Sequence, residues 1–144
     1  MARLKLPLPS PVIFQTSLEI RIEHINYGQH VSNDSYLRLA HEARLRWLKS
    51  AELSEIASDQ KGLIMSDASL VYKAEARWGE TFWVDLGVAD LTTHSFDLIY
   101  LFRNEKGMEY ARCKTAMVGF DYQTKKVAPL TEAYLKLIAT RAQQ

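Results

Sequence analysis

From Ser17 to Glu23 apolar and charged residues alternate strictly, with Leu18, Ile20 and Ile22 on one side and Glu19, Arg21 and Glu23 on the other. A period of two is that of a strand with one buried face, so this segment predicts a half-buried strand. From about Asp34 to Leu48 the period lengthens: Tyr36, Leu37, Ala40, Ala43, Trp47 and Leu48 fall near the spacing of one helix face. Leu39 and Leu45 lie off that stripe, so the helix is predicted to be apolar over more than one face and enclosed by other elements. Ser32, Asn33 and Asp34 immediately precede it and supply the short polar side chains that satisfy the unpaired amides of a first turn. The next stretch, AELSEIASDQKG, predicts a short turn of helix closed at Gly62.

The second half reads as strands. LIMSDASLVYKAEARW is extended through Arg77, the chain turns at Gly79, and TFWVDLGVADL follows with strand-forming aromatic and β-branched residues. THSFDLIYLFRN pairs back, Gly107 marks another turn, and MEYARCKTAMVGFDY is a long strand ending near Tyr122. The tail predicts a helix over about 131–142, capped at Thr131, with Ala133, Tyr134, Leu137 and Ile138 as its apolar positions. One strand, a long helix, a meander of at least four strands and a terminal helix make an α+β fold with a mainly antiparallel sheet. Such a sheet must cover its edges, and pairing of protomers is one way to do so.

Composition narrows the class without changing this picture. Nothing divides the 144 residues, so one domain is expected, with its core over about 12–129. Hydrophobic residues at 47% and charged residues at 24% are the balance of a soluble globular protein. A formal charge of +1 argues against an electrostatic nucleic-acid binder and leaves room for a local basic pocket. Pro7, Pro9 and Pro11 break the N-terminal apolar stretch, so neither a signal peptide nor a membrane span is expected. The single cysteine, Cys113, reads as a buried reduced thiol, and the expected location is the cytoplasm.

The junction between the first strand and the helix reads HINYGQHVSNDSY. It resembles the loop D-x-D-x-x-x-H-V-N-N-x-x-Y of the hotdog-fold thioesterases, those of the 4-hydroxybenzoyl-CoA thioesterase type and the related acyl-carrier-protein thioesterases. His30, Val31, Asn33 and Tyr36 match, and Ser32 replaces the first asparagine. Glu42, Ala43 and Arg44 match the E-A-R of the central helix, and YKAEARWGE matches Y-x-x-x-A-R-x-G-D at Tyr72, Ala76, Arg77 and Gly79, with Glu80 for aspartate. The resemblance runs from about Thr16 to Pro129 and implies a sheet wrapped around one long helix. It also implies thioester hydrolysis without a metal, coenzyme A or a carrier's phosphopantetheine entering only as part of the substrate. A homodimer or homotetramer, with an acyl carrier protein as a candidate partner, follows from the same source. One departure stands out: the family's acids fall on His24 and Asn26, and an amide cannot serve as a carboxylate base.

Thioester hydrolysis needs an activated water and donors aimed at the oxygen that becomes anionic. Asn26 and His30 are candidates to hold the water; Glu42, with Asp34 second, is the candidate base. Amides near Asn33 to Tyr36, at the positive end of the helix, are candidates for the oxyanion. Tyr27 and Gly28 shape the loop, and Asn33, Tyr36 and Arg77 are the further substrate contacts. Each has a structural alternative: capping for Asn33 and Asp34, an ion pair for Glu42, a backbone-bonded loop residue for His30, a solvated face for Lys73, Arg77, Arg112 and Lys114. Two rival functions remain open, a hotdog domain that binds acyl thioesters without turnover and a hotdog hydratase or dehydratase.

Overall fold

A computed structural model describes residues 3–140 of the 144. The order is β1 (Phe14–Glu19), one turn of 3-10 helix (Ile22–His24), α1 (Asn33–Lys49), β2 (Lys61–Tyr72), β3 (Thr81–Ala89), β4 (Ser95–Arg103), β5 (Glu109–Asp121), β6 (Lys126–Val127) and α2 (Glu132–Ala139). The strands form one antiparallel sheet in the order β1-β3-β4-β5-β2, with β6 beside β5. The sheet carries the long helix α1 on one face, which is the hotdog arrangement. The last predicted helical positions, 141 and 142, lie outside the described residues.

Alternation along the strands selects the core. Phe82, Val84 and Leu86 of β3, Phe96, Leu98, Tyr100 and Phe102 of β4, and Ala111, Cys113 and Met117 of β5 are all buried. They meet Tyr36, Leu39, Ala40, Ala43, Trp47 and Leu48 of α1, where the two alanines let the helix come close. Burying a side chain of leucine or phenylalanine size is worth about 2 kcal/mol, so this layer outweighs intrinsic propensity in holding the helix. Cys113 sits inside it as a free thiol whose pKa burial pushes up to about 12.

The opposite face of the sheet is crossed by the N-terminal segment. A Cβ at Gly87 would lie 2.8 Å from Pro9 and 2.9 Å from the Pro11 carbonyl, and further along, the Leu6 carbonyl accepts a hydrogen bond of 2.9 Å from Arg112. The prolines therefore form a strap from β3 to β5. Arg112 is further paired with Glu109, and Lys114 with Asp67, so both cations are engaged on this outer face.

Several expectations are corrected. The first strand stops at Glu19, where its pairing with β3 ends at Thr81, and Ile22 is 66% exposed in the 3-10 turn. The helix is not enclosed on every side: Leu39 is buried, but Leu45 is 38% exposed and Leu37 nearly as much, on a face that the single chain leaves open. No helix forms over 51–62. Gly62 instead belongs to β2, where a Cβ would fall only 1.9 Å from the Glu55 carbonyl oxygen. Glycine is required there because the loop before β2 lies directly on the strand. β2 ends at Tyr72, five residues before the predicted Arg77, and carries a bulge between Met65 and Asp67. The turns at Gly79 and Gly107 are where the sequence placed them, both at positive φ. Thr131 is the N-cap of α2, though its hydroxyl makes no capping bond.

Candidate active site

The junction is a closed loop. Ile25 and Val31 form an isolated antiparallel bridge, and within it Asn26 N donates to His30 O and Gln29 N to Asn26 O, both at 3.0 Å. The Asn26 side chain is turned inward on this loop, its Oδ1 accepting from Gly28 N at 3.0 Å. A Cβ at Gly28 would stand 3.1 Å from His30 Nε2, so glycine leaves the imidazole its space. Val31 N donates to Ala76 O at 2.8 Å, which ties the loop to the segment following β2.

Between that segment and the start of α1 lies an open cavity of about 260 Å³. His30, Asn33, Tyr36, Tyr72, Lys73 and Glu75 line it, with Val31 and Ala74. Its floor is Tyr36, whose ring packs 5.4 Å from Phe82 and 5.3 Å from Phe102. The Tyr36 hydroxyl takes no partner among the described residues, and since no buried side-chain oxygen is left unsatisfied, it opens on the cavity. Burial, with Tyr110, Tyr72 and Glu80 nearby, holds this phenol well above its ordinary pKa and keeps it a donor. Asn33 is the first helical residue, after the Ser32 N-cap, so the helix start lies at the same end of the cavity, where the Ser35 amide donates to Ser32 O at 3.1 Å.

His30 and Glu75 face each other across the opening, Nε2 to Oε1 at 3.9 Å. The other oxygen of Glu75 accepts from the Arg77 guanidinium at 3.3 Å. Glu80, which stands in for the family aspartate, is structural: its oxygens accept from Arg77 N at 2.8 Å and from the Tyr110 hydroxyl at 2.6 Å.

The predicted residues therefore divide. His30, Asn33 and Tyr36 come together in the cavity, Asn26 and Gly28 support it from behind, and Arg77 sits at its rim. Tyr27 is fully exposed and points away from the loop into solvent. Asp34 and Glu42 line grooves on another side of the helix, shared with His24 and Arg38. The Ser32 hydroxyl and nearby backbone amides hold the Asp34 carboxyl below its ordinary pKa, which is the behaviour of a helix-start acid. Glu42 is 53% exposed and paired with Arg46 at 2.9 Å; Arg46 in turn donates to Thr16 Oγ1 and Ser17 O and ties α1 to β1. Glu75 was not singled out in the sequence. It falls on an unspecified position of Y-x-x-x-A-R-x-G-D, so only the approach of the loop to this segment reveals it.

Among the described residues no three His, Cys, Asp or Glu side chains gather as a metal site would need. The model of the thioesterase-like superfamily matches residues 20–138. The chain belongs to this superfamily. It is a thioester hydrolase of the hotdog fold. A search of curated proteins gives no match. Among solved structures, this thioesterase is similar to a 1,4-dihydroxy-2-naphthoyl-CoA thioesterase from Synechocystis, at 26% identity and a TM-score of 0.80, over 87% of this chain and 94% of that one. The Staphylococcus aureus protein SAV2348, solved in complex with CoA, gives 20% identity and a TM-score of 0.81 over 94% of this chain and 86% of its own. The gentisyl-coenzyme A thioesterase BH1999 gives 17% and 0.78, over 88% and 100%. The last two likenesses speak for the fold alone.

Proposed function

We propose that this thioesterase cleaves an acyl-CoA or acyl-carrier thioester in the cavity between the start of α1 and residues 72–75. The observation that carries the reading is the meeting of three kinds of group in one opening. His30 can orient a water, the Tyr36 hydroxyl is a donor without a partner among the described residues, and the helix start lies beside it at Asn33. The thioester oxygen is taken by Tyr36 and the helix start, where negative charge is favoured. The water beside His30 attacks the carbonyl carbon, the carbon–sulfur bond breaks, and the thiol leaves along the open side. Lys73 and Arg77 at that side suit the phosphate of coenzyme A or of a carrier's phosphopantetheine arm.

A panel of acyl-CoA substrates tests this. Wild type turns over at least one of them, and His30→Ala lowers kcat by about 100-fold, the usual scale for losing a group that handles the attacking water. Equal rates in wild type and His30→Ala would overturn the assignment. One observation favours a binding-only alternative: the residue at the family's acid position is an amide whose oxygen is committed to Gly28. That reading holds if wild type binds acyl-CoA but leaves every thioester intact, and if Asn26→Asp gains hydrolysis.

The same proposal includes a homodimer. β2 is a long edge strand with one side unpaired, and Met65, Asp67 and Ala68 at its centre are exposed. A second copy pairing there would remove the open edge. Light scattering is expected to give at least twice the chain mass of 16.5 kDa; a monomer at micromolar concentration would rule this out. No helix among the described residues is long and apolar enough to cross a membrane. A cytoplasmic location goes with the reading, supported by the reduced, buried Cys113.

A further inference from the structure

We infer that Glu75 is the general base of this site, an assignment that rests on the hydrolytic reading above. Asn26 cannot take a proton, and its side-chain oxygen is occupied by Gly28 N. Glu42 and Asp34 line other grooves. Among the described residues, Glu75 is the one carboxylate lining the cavity that holds His30 and Tyr36.

Its geometry suits the task. The separation of 3.9 Å between Glu75 Oε1 and His30 Nε2 is too long for a direct hydrogen bond and short enough for one water to touch both. His30 Nδ1 lies 3.5 Å from the Val31 carbonyl, so with its proton on that side the Nε2 lone pair faces the opening. A water donating one hydrogen to Nε2 and the other to Oε1 presents its own lone pair to the substrate. Arg77 grips the second carboxylate oxygen and so fixes which oxygen faces the water.

As the water oxygen bonds to the carbonyl carbon, its proton passes to Glu75 and the carbonyl oxygen becomes anionic against Tyr36 and the helix start. Collapse of the tetrahedral intermediate breaks the carbon–sulfur bond. Glu75 returns the proton to the departing thiolate, leaving free thiol and a carboxylic acid that ionises to solvent. No oxidant, reductant or further reactant is needed.

The test uses an acyl-CoA that wild type hydrolyses, with Glu75→Gln, Glu75→Ala and Glu75→Asp. Glu75 is well exposed, outside the hydrophobic core, so these variants keep the fold. Glu75→Gln and Glu75→Ala are expected to lose about 100-fold in kcat with KM changed by less than about threefold. Glu75→Asp retains part of the rate, and added formate restores Glu75→Ala but not Glu75→Gln, because only the alanine leaves room for a small carboxylate. Rates in Glu75→Gln and Glu75→Ala within about threefold of wild type would overturn the assignment. So would a loss in Glu75→Ala that formate leaves untouched, or a loss confined to Glu42→Gln. A wild type inert on every thioester overturns the hydrolytic reading itself, and the base with it, and differs from the other outcomes in that no parent rate exists.

Discussion

Arg44→Ala lowers the free energy of unfolding by about 3 kcal/mol, read as a shift in the urea midpoint followed by circular dichroism. Arg44 lies on the inner side of α1 and is only 6% exposed. Its Nε donates to Glu55 at 3.1 Å and its Nη1 to the Tyr100 hydroxyl at 2.9 Å. Since a guanidinium can only donate, Tyr100 accepts from it, and the Tyr100 and Thr115 hydroxyls share a second hydrogen bond of 2.8 Å. Burial pushes the Tyr100 pKa up to about 12 and keeps it a neutral link in this chain. Truncation removes the cation, leaves a cavity along its stem and strands Glu55. The Glu55 side chain is 23% exposed and also bonded to His41 at 2.8 Å, so water and His41 absorb part of the loss and hold the effect at the low end for a buried pair. Arg44→Met combined with Glu55→Gln should recover part of the stability. An unchanged midpoint in Arg44→Ala would mean that the network carries no net stabilisation.

Tyr36→Ala is expected to cost about 3–5 kcal/mol and Tyr36→Phe far less, although both remove the hydroxyl. The ring touches Phe82, Phe102 and Tyr72, and its loss opens the core from the cavity side. Removing only the oxygen leaves that packing intact. In the phenylalanine variant kcat should fall by about 100-fold, the scale for losing one oxyanion donor, with little change in the melting midpoint. A phenylalanine variant with full activity would assign the carbonyl oxygen to the helix start alone.

The fold was legible where pattern and packing agree. Leu18 follows the alternation because it belongs to a strand paired with β3, and Ile20, just past that strand, stays buried with its amide bonded to the Glu80 carbonyl; Tyr36, Ala40, Ala43 and Trp47 recur at helical spacing because the sheet lies under that face. Ile22 continued the alternation in sequence after the chain had left the sheet, and nothing in a period of two marks the residue at which a partner strand ends. Leu39 and Leu45 signalled enclosure, and Leu39 is buried, yet no element among the described residues covers Leu45. Gly62 read as a helix terminator, but its reason is the Glu55 carbonyl against it, a contact between a loop and a strand. The site divided in the same way. His30, Asn33 and Tyr36 adjoin along one loop and helix start and could be read together, whereas Glu75 joins them through contacts between distant segments, Val31 with Ala76 and Tyr72 with Asn33 and Tyr36.

The strap of Pro9 and Pro11 bears on everything the protein meets. By lying across the back of the sheet it covers part of that side with the molecule's own chain, which leaves the helix side and the strand edges to the substrate, carrier and second copy proposed above. Tyr72 lines the cavity and also ends the open edge strand, which makes these approaches neighbours. In the proposed dimer a bulky carrier would compete for room with the second copy, whereas a slender cofactor tail would not.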